Sequence, residues 1–172
     1  CGVGLYTLFV NGEKAGNEYL APGFNAYDSW LQYQTYDITE LLRRGENSVG
    51  AWLGNGYYKG RVNWPEIGRR DKIYGDRLAL IAEIVLEYED GTRETIVTDA
   101  SWKVSKSPFL RTEIYDGEVF DARAYDRAWC APETDCSDWE NAFLVPLGKE
   151  RLHARLSVPV VAHEARPAVE KI

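Results

Sequence analysis

The sequence predicts an all-β protein: an antiparallel β-sandwich of jelly-roll type carrying one short helix. Three observations point there. Short stretches of alternating apolar and polar residues recur along the chain, and Gly, Asn, Asp or Pro stops nearly every one. No stretch alternates strands with the helical patterns that a parallel α/β sheet requires. The 172 residues are 45% apolar and include six Trp and eleven Tyr, which suits one packed core and excludes the disordered class.

In order, "LYTLFVNG" (5–12) alternates and stops at Asn11-Gly12, a dipeptide that tolerates the left-handed backbone of a tight hairpin turn. "WLQYQTYDI" (30–38) reads as a second strand. "TELLRRG" (39–45) is the helical piece, with Thr39 as cap, Leu41 and Leu42 packing, and Gly45 as stop. "SVGAWLG" (48–54) follows. The 55–76 segment is long for a compact domain, and such loops carry function or cover an edge. "RLALIAEIVLEYEDG" (77–91) and "RETIVTD" (93–99) form the clearest hairpin. The first of these is apolar on both faces and is expected to be the rigid centre of the sandwich. Residues 102–107 continue the meander. Trp30, Trp52 and Trp102 fall in strands and are expected in the core.

Domain organisation reads as a β-sandwich module over 1–150 and a connector over 151–172 that leads into a further domain. Pro159 and Pro167 bend that tail, which is expected to pack poorly or to extend away. Cys1 reads as an internal cut in a longer chain.

The net charge of −7 and pI near 4.9 argue against nucleic acid as a partner. No apolar stretch approaches the ~20 residues of a membrane-spanning helix, so no membrane partner is expected. The three cysteines are an odd number. Cys130 and Cys136 flank "APETD" and either close a small loop when oxidised or stay as thiols.

The chemistry-bearing stretch is "IYDGEVFDAR" (114–123), with Asp116, Glu118, Asp121 and Arg123 around one glycine and Glu113 just upstream. Three readings stand side by side. In the first it is a structural turn in which Asp121 pairs with Arg123. In the second Asp116, Glu118 and Asp121 contribute oxygens to calcium or touch a ligand. In the third Asp116 and Glu118 act as the carboxylate pair of a self-sufficient glycosidase. Tyr57, Tyr58 and Trp64 sit in the long loop among Lys59, Arg61 and Asn63. Aromatic faces interleaved with polar groups suit a sugar ring, and the same aromatics equally suit the plugging of a sandwich end. If sugar binds, the expected place is where the acidic motif meets the 55–64 loop.

The whole chain resembles the N-terminal β-sandwich domain of bacterial α-L-rhamnosidases. The resemblance is carried by Tyr6 to Gly12, Pro22-Gly23 to Tyr27, "YQTYDIT", "GEN", "LGNGYYKG", "IYGDRLALIAEIVLEYEDG", "TDASWKVS", "IYDGEVFDAR" and Trp129. It implies a galactose-binding-like fold and a domain that does not itself catalyse hydrolysis. In the family that reaction belongs to a separate (α/α)₆ barrel of the same polypeptide, acting by inversion. It further implies two partners: the catalytic and β-domains of the parent chain, and L-rhamnose-containing glycans, bound in some members through calcium. A purely structural scaffold remains the other reading. The cytoplasm, the periplasm and secretion are all compatible with a bacterial member.

Overall fold

The computed structural model describes residues 1–64 and 68–167. Its centre is a three-stranded antiparallel sheet in which Leu5–Val10 lies between Glu13–Lys14 and Val49–Gly54. Asn11 and Gly12 turn the first hairpin with φ of 52° and 83°, as their sequence predicts. Asn11 also gives the "GEN" stretch at 45–47 its structural task. Its buried amide donates to Leu41 O and Asn47 Oδ1, both at 2.8 Å, and its oxygen accepts the Ser48 N–H at 2.9 Å. One turn residue thereby fixes the whole 39–48 crossover.

Cross-strand partners share a sheet face, so the register assigns the two sides of the central sheet. Thr7 opposite Trp52 and Phe9 opposite Gly50 define one face. An aromatic cluster covers it: Trp52 stacks on Trp129 (5.4 Å) and meets Phe9 (4.8 Å) and Phe109 (5.3 Å), which in turn meets Phe120 (5.0 Å). Trp129 fits because Gly50 has no side chain; a Cβ there would stand 2.7 Å from the indole. Tyr6 and Val10 point to the opposite face, which lies deeper, and Val10 is fully enclosed. A second core of Val3, Tyr27, Leu31 and Tyr58 sits at one end, under the 56–59 turn.

The remaining strands pair two by two. Gly2–Val3 joins Ala79–Leu80, Glu83–Glu87 joins Arg93–Val97, Lys103–Val104 joins Glu140–Asn141, and Phe109–Glu113 joins Gly117–Phe120. All of these are antiparallel, in keeping with the predicted sandwich.

Several local expectations are corrected. The 77–88 run is two strands rather than one, with different partners on either side of Ile81-Ala82. Its hairpin with 93–97 is not the rigid centre: Ile84 and Leu86 are half-buried, while Val85, Ile96 and Val97 are exposed. A two-stranded ribbon has only one face to lay on the body, and apolar content alone does not say whether the other face is covered. The predicted helix over 39–45 is a single 3₁₀ turn, Thr39–Leu41, with Ile38 rather than Thr39 at the cap position; just before it Asp37 accepts both the Thr39 N–H (3.0 Å) and its hydroxyl (2.7 Å). A four-residue helix, Gly56–Lys59, opens the long loop instead. Trp30, Trp52 and Trp102 are half-buried rather than core.

The tail also differs from its expectation. Leu152–Ala154 pairs in parallel with Leu31–Tyr33, and Val160–Val161 pairs antiparallel with Glu18–Tyr19. Between them Arg155 forms an ion pair with the buried Glu18 at 2.5 Å, and Gln32 Oε1 accepts the Leu156 N–H at 2.9 Å. Polar bonds hold this segment where apolar burial does not.

The surface is large for the mass. The chain exposes 12564 Å², where a folded 19.5 kDa monomer is expected to expose roughly 8,500 Å².

Candidate functional site: an acid-anchored loop and an aromatic cleft

The acidic motif folds as a hairpin with Asp116 in its turn, Thr112 opposite Glu118 and Glu113 opposite Gly117. Each acid is directed differently. Glu113 faces the long loop: its Oε1 accepts the Asn55 amide at 2.8 Å and its Oε2 the Arg61 backbone N–H at 2.9 Å. Gly60 lies so close that a Cβ on it would stand 2.7 Å from Glu113 Oε2 and 2.2 Å from Gly56 O. Asp116 meets the Arg61 guanidinium as a fork, with Nε donating to Oδ2 at 2.8 Å and Nη2 to Oδ1. Asp121 accepts Arg123 Nε and Nη2, each at 2.8 Å, and caps the Ala122–Ala124 turn through the Arg123 N–H. The Arg123 side chain, seconded by that N–H, holds the Asp121 carboxyl below the usual carboxylate range. Glu118 stands exposed on its strand.

Sequence reasoning placed these acids beside the 55–64 loop, and the two segments do meet, through Asn55, Arg61, Glu113 and Asp116. Glu113 and Arg61 carry the junction; the sequence sets each beside a candidate motif, but a separation of more than fifty residues leaves no local signal that they meet. Asp116, Glu118 and Asp121 do not converge on a common point. Among the described residues no three His, Cys, Asp or Glu side chains are grouped as a metal site. All three cysteines are free thiols, with Cys130 buried under Phe9 and Ser48.

Two of the loop aromatics, Tyr57 and Tyr58, pack on rings other than the acidic hairpin. Tyr57 packs edge-on against Phe24 at 5.1 Å, and Tyr58 is buried against Tyr27 at 5.2 Å. Trp64 ends the Val62–Trp64 strand, and its side chain lies outside the described residues. The helix therefore separates two environments, with Asn55, Gly60 and Arg61 toward the carboxylates and Tyr57 and Tyr58 toward the core.

That second environment opens as a cleft of about 310 Å³ whose walls include Tyr27, Tyr58 and Tyr74, with Asp28 and Arg151 among its polar groups. Tyr27 and Tyr74 stand 5.1 Å apart, tilted, and Arg151 donates weakly to Tyr27 O at 3.4 Å. Burial pushes the Tyr27 phenol up to about 12 and, seconded by the Asp76 charge, also raises Tyr58, so both are neutral hydroxyls at ordinary pH. Of the wall residues the sequence marks Tyr58 as a candidate sugar contact, and Asp28 only as an oxygen that could join the acids around calcium. Tyr27, Tyr74, Asp28 and Arg151 come from three separate segments.

Fold and site together define an antiparallel β-sandwich domain whose acidic motif ties down its own long loop. The chain belongs to the α-L-rhamnosidase N-terminal domain family, whose model matches residues 1–164. An α-L-rhamnosidase of Formosa agariphila is 40% identical over 142 residues, covering 81% of this chain and 15% of that protein. The Streptomyces avermitilis α-L-rhamnosidase, solved in complex with L-rhamnose, superposes with a TM-score of 0.88 at 34% identity, over 95% of this chain and 16% of that one. Native α-L-rhamnosidase of Aspergillus terreus gives 0.85 at 36% identity, over 90% and 18%. The chain thus spans less than a fifth of the length of these relatives and corresponds to their N-terminal domain.

Proposed function

We propose that this chain is the non-catalytic N-terminal module of a larger α-L-rhamnosidase and that it works by packing against the remainder of that polypeptide, its catalytic domain included. The observation that carries this reading is the bare surface. The module exposes about half as much area again as a self-contained protein of its mass. Leu110, Phe143, Leu144 and Leu156 are exposed by 68%, 61%, 75% and 78%, apolar side chains that further chain could cover. The test compares this chain alone with the full-length polypeptide on an aryl α-L-rhamnoside. Turnover is expected only from the latter. Hydrolysis by the isolated module that disappears in Glu118→Gln sinks the reading in favour of a self-sufficient glycosidase.

A second reading adds carbohydrate contact in the Tyr27–Tyr58–Tyr74 cleft. Aromatic walls suit the apolar face of a pyranose, and Asp28 with Arg151 suits its hydroxyls. A monosaccharide such as L-rhamnose is then expected to bind weakly, at roughly 0.1–1 mM. Calorimetry with and without calcium, on the parent chain and on Tyr74→Ala and Asp116→Ala, separates the possibilities. Binding lost only in Tyr74→Ala supports the cleft. Binding lost to chelator and to Asp116→Ala moves the site to the acidic hairpin and makes it calcium-dependent.

A further inference from the structure

Among the described residues that line the Tyr27–Tyr58–Tyr74 cleft there is one cation, Arg151, and one acid, Asp28. They share a space of about 310 Å³ without pairing with each other. Among the described residues Arg151 has one ion-pair contact, with its neighbour Glu150 at 4.0 Å. Glu150 is 75% exposed, and a surface pair of that length contributes little. The guanidinium otherwise makes only the 3.4 Å contact with Tyr27 O, so most of its five N–H donors are uncommitted. Asp28 accepts the Ser29 hydroxyl at 3.4 Å and keeps acceptor capacity to spare.

Packing on either side sets the position of Arg151. Leu147 and Leu152 pack against the core of Val3, Tyr27, Leu31 and Tyr58, and the Lys149–Arg151 turn lies between them. Leu152 then enters its pairing with Leu31. Arg151 is thus carried on a short turn clamped at both ends, a firm mount for a recognition side chain. Its side chain is 36% exposed, so a charge brought to it is partly withdrawn from water and felt more strongly.

We infer that the cleft takes a carboxylate-bearing pyranose, a uronic acid unit of a glycan, with its carboxylate on Arg151, its hydroxyls on Asp28 and its ring against the tyrosines. The inference deepens the reading of this cleft as a carbohydrate contact and rests on it. A planar guanidinium meets a carboxylate as a two-pronged fork, and such a charge-assisted bond is roughly twice as strong as one to a neutral hydroxyl. Asp28 repels a carboxylate, which leaves the ring one orientation in the cleft. The chain's net charge of −7 opposes an anion at long range. Exposed charges beyond about 8 Å are largely screened at physiological ionic strength, so the cation inside the cleft decides.

The test is calorimetry on the full-length polypeptide with D-glucuronate, D-glucose and acetate, comparing the unsubstituted protein with Arg151→Gln and Tyr74→Ala. Other domains keep any sites of their own, so the differences between variants carry the result. D-glucuronate is expected to bind at least about tenfold more tightly than D-glucose. Arg151→Gln should erase that preference without moving the melting temperature, Tyr74→Ala should weaken both sugars, and acetate should bind far more weakly than D-glucuronate. Equal affinity for the two sugars, both weakened in Tyr74→Ala, overturns the carboxylate assignment and leaves the carbohydrate reading of the cleft intact. A preference that survives Arg151→Gln overturns the role of Arg151. Acetate binding as tightly as D-glucuronate reduces the cleft to a bare anion site and overturns the sugar. Sugar binding unmoved by Tyr74→Ala, or absent altogether, overturns both this inference and the reading beneath it.

Discussion

Arg61 and Asp116 face each other as a fork across fifty-five residues of sequence, with 15% and 26% of their side chains exposed. The pair turns an acidic hairpin into the support of a loop, and it gives Asp116 of that hairpin a structural task. Removing one partner leaves the other charge partly desolvated, so Asp116→Ala or Arg61→Ala should each cost about 2–3 kcal/mol in urea unfolding. The double variant should cost less than the sum of the singles, because both act on one contact. Additive losses would show that the two side chains support the fold separately.

Stability should be concentrated in the central sheet and not in the long apolar hairpin. Val10 is fully enclosed, and Val10→Ala should cost about 2 kcal/mol or more. Ile84 is half-buried on a two-stranded ribbon, so Ile84→Ala should cost about 1 kcal/mol. A larger loss at Ile84 than at Val10 would return the hairpin to the centre of the domain.

Alkaline pH should unfold the module through its buried phenols. Burial pushes Tyr6 and Tyr27 up to about 12 from an ordinary value of 10. An acid whose folded pKa is raised contributes stability that is fully present below the unfolded value and lost as pH rises through the folded one. The unfolding midpoint should therefore hold to about pH 10 and fall between 10 and 12, together with the absorbance change of tyrosinate. Titration of all eleven tyrosines near pH 10 in a still-folded chain contradicts this.

The 152–161 segment should come loose before the body does. In Arg155→Gln the amides of 152–161 should exchange at least about tenfold faster, because the polar anchor to Glu18 supplies what apolar burial does not. Exchange unchanged from the parent chain would mean that the strand pairings at 152–154 and 160–161 hold the segment unaided.

The β class, the Asn11-Gly12 turn, the strand over 48–54 and the Asp121–Arg123 pair were all legible in sequence, because each rests on neighbours a few residues apart. Alternation, turn chemistry and a charge two positions away are local properties. The resemblance of the whole chain to rhamnosidase N-terminal domains was legible for a different reason: many short motifs occurred in one order.

Tertiary structure alone decided the rest. Whether Ile84 or Val10 is central depends on which strand lies between two others, and an apolar run does not record its neighbours. Gly60 and Arg61 beside Glu113, like Glu18 beside Arg155, are joined across 52 to 137 residues, so no spacing rule reaches them. The same holds for the tail. Its prolines and bare valines read as a connector, and its composition does suit a segment with little to bury. What holds it is a buried carboxylate on a distant strand, and a bond of that kind exists only once the chain has folded around it.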